Sequence, residues 1–120
     1  MEAMVLVVDD DPDIRFTLRQ VLRDEGFRVV QACNGLEALE QIANEEPDLV
    51  LLDLIMPVVD GWEVLRTLRR CRANIPIVIL SAVPADGCAD FIQKPVSFAR
   101  LSELLEVVRA RAKERAATRT

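Results

Sequence analysis

Histidine is absent from this chain, and only three cysteines, Cys33, Cys71 and Cys88, occur in its 120 residues. An odd number of widely spaced thiols with no imidazole beside them supports neither a disulfide scaffold nor a zinc site. Cys33 and Cys71 are expected to serve as small buried hydrophobes. No apolar run approaches the roughly 20 residues that cross a bilayer, and no basic segment with a signal-like apolar stretch opens the chain. A cytoplasmic protein with no membrane partner is the expectation. Positive charge is also in deficit: fifteen Lys plus Arg face twenty Asp plus Glu, a net charge of -5. That balance disfavours direct nucleic-acid binding through the phosphate backbone.

What is present suits one domain, with 51% hydrophobic residues and enough length for a core. Strand and helix patterns alternate. Met4 to Val8 is a nearly continuous apolar strand, after which Asp11 can cap a helix with Pro12 in its first turn. Ile14, Leu18, Val21 and Leu22 recur at helical spacing until Gly26. Phe27 to Gln31 reads as a second strand, and Asn34-Gly35-Leu36-Glu37 as a capping box for a helix over 35–44 with Leu36, Leu39 and Ile42 on its apolar side. Residues 48–52 read as a central parallel strand covered on both faces. Asp60 caps a helix carrying Val64, Leu65 and Leu68, and Pro76 introduces a strand over 77–80. A last strand lies near 90–93, and Ser97 caps a long helix that turns Phe98, Leu101, Leu104, Leu105 and Val108 toward the core. From Arg109 onward large apolar residues stop, so the core is expected to span about 3–108, with 109–120 a helical extension or linker.

Five strand candidates with interleaved helices predict a doubly wound α/β sandwich, whose right-handed crossovers bring strand C-terminal ends to one edge. Polar groups follow four of the apolar segments: Asp9-Asp10-Asp11, Asp53, Ser81 and Lys94. Carboxylates gathered there repel one another unless a cation relieves them, and Mg²⁺ prefers carboxylate, carbonyl and water oxygens. Asp53 is the expected nucleophile for a phosphoryl group. Asp10, assisted by Asp9 through a water, would hold Mg²⁺ together with Asp53, and the backbone carbonyl of Ile55 would add a ligand. The metal and Lys94 would neutralise charge on the transferring phosphoryl, and Ser81 would donate a hydrogen bond to it. Asp9 and Asp11 have a plainer reading as caps of the first helix, and Ser81 or Lys94 alone says little.

Val7-Val8-Asp9-Asp10-Asp11-Pro12, Leu51-Leu52-Asp53-Leu54-Ile55-Met56-Pro57 with Asp60-Gly61, Leu80-Ser81-Ala82 and Phe91-Ile92-Gln93-Lys94-Pro95 together resemble the receiver domain of two-component response regulators. The resemblance covers nearly the whole chain. It implies a flavodoxin-like receiver fold with five parallel strands in the order 2-1-3-4-5. It also implies phosphoryl transfer from a histidine kinase or histidine phosphotransfer protein to Asp53, and Mg²⁺ on Asp9 and Asp10. Ser81 and Phe91 match the family's switch positions, and Lys94 its lysine, with Pro95 expected after a cis peptide. Such a domain catalyses its own aspartyl phosphorylation and slow dephosphorylation, rather than repeated turnover.

The chain departs from the family between Ser81 and Lys94, where the family places a whole fourth helix. Val83-Pro84-Ala85-Asp86-Gly87-Cys88 is short and rich in turn formers, so helix 4 is expected to be missing or reduced to a turn. The resemblance implies that the signal leaves through the face of helix 4, strand 5 and helix 5. The expected recipient is a downstream protein or output domain, or a second copy self-associating through that altered face. A phosphorylation-independent interaction module is the alternative. A hydrolase is disfavoured because no obvious water-activating base accompanies Asp53.

Overall fold

The computed structural model describes residues 3–54, 56, 59–71, 75–81, 90–93 and 97–118, of which 81, 90–93 and 115–118 are described as backbone only. Strands β1 (Met4–Val8), β2 (Arg28–Ala32), β3 (Leu49–Asp53) and β4 (Ile77–Ser81) run parallel. Helices α1 (Pro12–Asp24), α2 (Gly35–Asn44), α3 (Gly61–Cys71) and α4 (Phe98–Thr118) separate or follow them. β1 and β3 are buried along their whole length because both of their faces are covered, which explains their unbroken apolar sequences.

Alternation along each strand divides the interior into two layers. Leu6, Val8, Val50, Leu52, Ile77 and Ile79 meet α2 and α3, through Ala38, Ile42, Val64, Leu65 and Leu68. Val5, Val7, Leu49, Leu51, Val78 and Leu80 meet α1 and α4, through Leu18, Leu22, Leu101, Leu105 and Val108. Fully burying a Leu or Val contributes roughly 1.5–3 kcal/mol, so each layer is a substantial core.

The expectation of a doubly wound five-stranded sheet with helix 4 missing or reduced to a turn is corrected at its last edge. Among the strands whose side chains are described, four in the order β2-β1-β3-β4 build the two layers, accompanied by four helices among the described residues. Asp90–Gln93 (β5) runs beside β4 as backbone, from Val78↔Asp90 to Ser81↔Gln93, in the order β2-β1-β3-β4-β5. Counting apolar segments gave it the same weight as the others, yet it holds only two apolar residues between polar ends. The expected loss of helix 4 falls on 82–89, outside the described residues.

Local signals explain most boundaries. Asp11 caps α1, its side chain accepting from the Asp13 N–H at 2.9 Å, with Pro12 at the first helical position. Gly26, at φ +89°, ends the turn after α1; the Gly26 N–H donates to Arg23 O and the Phe27 N–H to Leu22 O, both at 3.0 Å. β2 is displaced by one residue from its expected position, and Phe27 is instead buried against α1 and α4.

Four side chains sit differently from expectation. Leu36 is exposed, because the inward stripe of α2 is Gly35, Ala38 and Ile42 at i, i+3 and i+7 and Leu36 lies off it. Phe98, in the first turn of α4, is exposed as well. Cys71 lies exposed at the end of α3 and Cys33 is only half-buried, so neither is a core residue; Cys88 is outside the described residues. α4 continues past Arg109 to Thr118, and Ala112 still packs against the α1/α4 layer.

Candidate functional site

The register of β1 and β3 brings two acids together. Val8 pairs with Leu52, so Asp9 and Asp53, the next residues along, leave neighbouring strands at one level. Asp9 is 0% exposed and Asp53 6% exposed, while Asp10 faces solvent. Carboxylate oxygens of Asp9, Asp10 and Asp53 all lie within 4.8 Å of one another.

Asp9 is fixed from several sides. Its N–H donates to Ala32 O at 3.2 Å, its carbonyl accepts from Arg15 Nη1 at 2.7 Å, and its Oδ1 accepts from the Asp11 N–H at 3.0 Å. Three successive acids thereby divide their work. Asp11 caps α1, while Asp9 and Asp10 turn to the cluster.

Three carboxylates this close repel strongly, more so because two of them are withdrawn from water. A divalent cation offsets that repulsion, and the donor set, all oxygen and all anionic, suits a hard ion. With metal–oxygen distances of about 2.1 Å for Mg²⁺, opposite ligands stand roughly 4.2 Å apart. The 4.8 Å cluster needs little closure, or one water between a carboxylate and the ion, to reach that span.

Sequence reasoning missed how two glycines carry this edge, having taken Gly35 as part of a capping box and Gly61 as part of another and of the receiver-like motif. The caps do form: Asn34 Oδ1 accepts from the Glu37 N–H at 2.8 Å, and Asp60 Oδ1 from the Glu63 N–H at 2.9 Å. Beyond that, the Gly61 N–H donates to Leu54 O and the Gly35 N–H to Val59 O, each at 3.0 Å. A Cβ on Gly61 would stand 2.1 Å from Asp53 O, and one on Gly35 2.0 Å from Val59 O. Helix starts without side chains are what allow so close an approach. A glycine directly after the cap, on the inward side of the helix, was the available signal.

Beside the cluster, Cys33 Sγ lies 3.3 Å from Glu37 Oε2, and the Cys33 N–H donates to Glu37 Oε1 at 3.3 Å. The hydrogen bond to Glu37, then desolvation and the carboxylate's charge, push the Cys33 thiol above its ordinary value.

The remaining expected site residues are reached less fully. Ser81 is the last residue of β4, one beyond Leu80, whose partner across the sheet is Asp53. Phe91 lies in β5 opposite Ile79. Lys94 and Ile55 lie outside the described residues. No helix among the described residues is long and apolar enough to cross a membrane.

With this geometry in view, likeness to known proteins becomes specific. Residues 5–106 match the response regulator receiver domain family. The response regulator MprA of Mycobacterium sp. strain KMS is 41% identical over 119 residues, covering 92% of this chain and 50% of that protein, so the chain spans about half the length of the curated relatives it matches. Among solved structures, the receiver domain of Francisella response regulator 1452 is 30% identical, with a TM-score of 0.84 over 92% of this chain and 99% of that one. The response regulator TrrA of Thermotoga maritima, in complex with Mg²⁺-BeF, is 33% identical, with a TM-score of 0.81 over 88% of this chain and 98% of that one. Matching motifs, fold and acidic cluster agree, and the chain belongs to the response regulator receiver domain family, as a phosphoacceptor domain of two-component signal relay.

Proposed function

We propose that Asp53 is the phosphoacceptor and that Asp9, Asp10 and Asp53 hold Mg²⁺, with the carbonyl of Ile55 as a further ligand. The observation that carries this reading is the convergence of the three carboxylates at the ends of β1 and β3. The presence of Mg²⁺-BeF in the Thermotoga relative supports the choice of metal. When bound, the ion supplies charge neutralisation for the incoming phosphoryl oxygens.

In the proposed step a carboxylate oxygen of Asp53 forms the new P–O bond while the P–N bond of a phosphohistidine breaks, its electron pair leaving with the imidazole. The donor is a histidine kinase or histidine phosphotransfer protein. Asp53 is suited to the role because β3 is buried on both faces, so its last residue is held still. Lys94 would steady the phosphoryl charge and Ser81 would donate a hydrogen bond to it, with Phe91 following as the switch residue. Residues 3–108 would form the receiver core, passing the signal to a downstream protein or output domain.

Intact-protein mass after incubation with Mg²⁺ and acetyl phosphate tests the reading. A single phosphoryl adduct is expected in the native chain, and none in Asp53→Asn or without Mg²⁺. An adduct of equal yield in Asp53→Asn would remove Asp53 from the role.

A further inference from the structure

The connection leaving Asp53 is tied down by two helices rather than one. Gly61, at the start of α3, binds Leu54 O directly after Asp53; Gly35, at the start of α2, binds Val59 O two residues before Gly61. α2 contributes no carboxylate to the cluster, yet its first amide holds the far end of the segment that begins at Asp53. At both glycines the atom a Cβ would strike belongs to backbone, which cannot swing aside as a side chain can. Val59 also packs its side chain against the α2/α3 layer. Leu54 and Val59 are therefore each clamped by a helix start, and one jaw of the clamp is α2.

We propose that Gly35 is a positioning residue for metal binding at Asp53: by holding Val59 O, two residues before the Gly61 amide that binds Leu54 O, it keeps the start of α3 in the place where Leu54, and with it the Asp53 carboxylate, meets Asp9 and Asp10. The inference rests on reading Asp53 as a metal ligand. Its physical content is a linkage. If the Gly35–Val59 bond favours the closed cluster, then closing the cluster around Mg²⁺ favours that bond equally, because coupling between two sites is reciprocal.

Amide exchange in the native chain, with and without saturating Mg²⁺, measures the linkage without any substitution. Exchange at Gly35 and Gly61 is expected to slow about tenfold on metal binding. The Glu25 amide, bonded to Val21 O at 3.1 Å at the opposite end of α1, should not change. Carboxyl-carbon shifts of Asp9, Asp10 and Asp53 report occupancy independently. Shifts that saturate while Gly35 exchange stays constant would overturn the inference and leave the metal reading intact. Carboxyl signals unmoved by Mg²⁺ would remove both.

A second measurement uses Gly35→Ala beside Leu105→Ala, a core substitution in the other layer that serves as a stability control. Gly35→Ala is expected to weaken Mg²⁺ about tenfold, read from the fluorescence of Trp62 next to Gly61, with Leu105→Ala unchanged. Equal Mg²⁺ affinity in folded Gly35→Ala and the native chain would overturn the role.

Discussion

The guanidinium of Arg109 lies over the ring of Phe27, its Cζ 5.0 Å from the ring centroid. Arg109 Nη2 also donates to Glu25 O at 2.6 Å, and its Nη1 pairs with Glu106 on the same helix. One side chain thus joins α4 to the turn between α1 and β2, with its hydrophobic stem and its charge both engaged.

Arg109→Ala is expected to lower unfolding free energy by about 1 kcal/mol, the size of a partly exposed cation–π contact with a hydrogen bond. Urea denaturation of the two proteins checks it. Arg109→Lys should recover only part of the loss, since an ammonium cannot lie flat on the ring while reaching Glu25 O.

Gly26→Ala should cost about 1 kcal/mol, because at φ +89° the added methyl strains the backbone even with no atom within 4 Å of it. Gly26→Asn is expected to lose less, as asparagine tolerates the left-handed region better. Thermal unfolding of the pair against the native chain separates conformational strain from crowding. Equal losses in both variants would contradict that account.

Glu37→Gln should make Cys33 more reactive. The carboxylate raises the thiol's pKa by accepting its hydrogen bond and by its charge, so near pH 8.5, the ordinary thiol range, less thiolate is present than in a free peptide. Removing the charge moves the pKa down and speeds alkylation at that pH. Peptide-resolved iodoacetamide rates measure it, and a slower rate in Glu37→Gln would contradict the sign.

Asp53→Asn is expected to keep the fold, since the amide is isosteric and β3 is held by apolar contacts on both faces. Divalent-ion binding should weaken about tenfold or more, as one of three anionic ligands is lost. Calorimetric titration with Mg²⁺ checks the affinity, and circular dichroism checks the fold. Chelation by EDTA should abolish phosphoryl uptake in the native chain, reversibly on adding Mg²⁺ back.

Much of this was legible in the chain because short apolar runs ending in acids have few structural meanings. Met4 to Val8 and Leu49 to Leu52 could only be strands covered on both faces, and Asp9, Asp10 and Asp53 followed from their ends. Side-chain direction on helices was harder to read. Leu36 looked like an inward residue because hydrophobicity was counted before angle, whereas Gly35 and Ala38, small and inconspicuous, occupy the inward stripe. The clamp of Gly35 on Val59 was invisible for a related reason: it joins backbone atoms far apart in sequence, and no side chain announces it. The edge of the sheet was the hardest strand to read, since segment 90–93 holds only two apolar residues between polar ends.

Leu51 and Leu52 are neighbours in the chain, yet they belong to opposite layers, and both lead to Asp53. The two hydrophobic interiors share the strands β1, β3 and β4, each of which sends alternate residues to either side, and otherwise draw on different helices. Volume-conserving changes on the α1/α4 side can therefore accumulate without repacking the α2/α3 side, provided the axes of β1, β3 and β4 stay where they are. A lineage carrying this chain has two nearly independent places to drift in sequence while its acidic centre remains chemically the same.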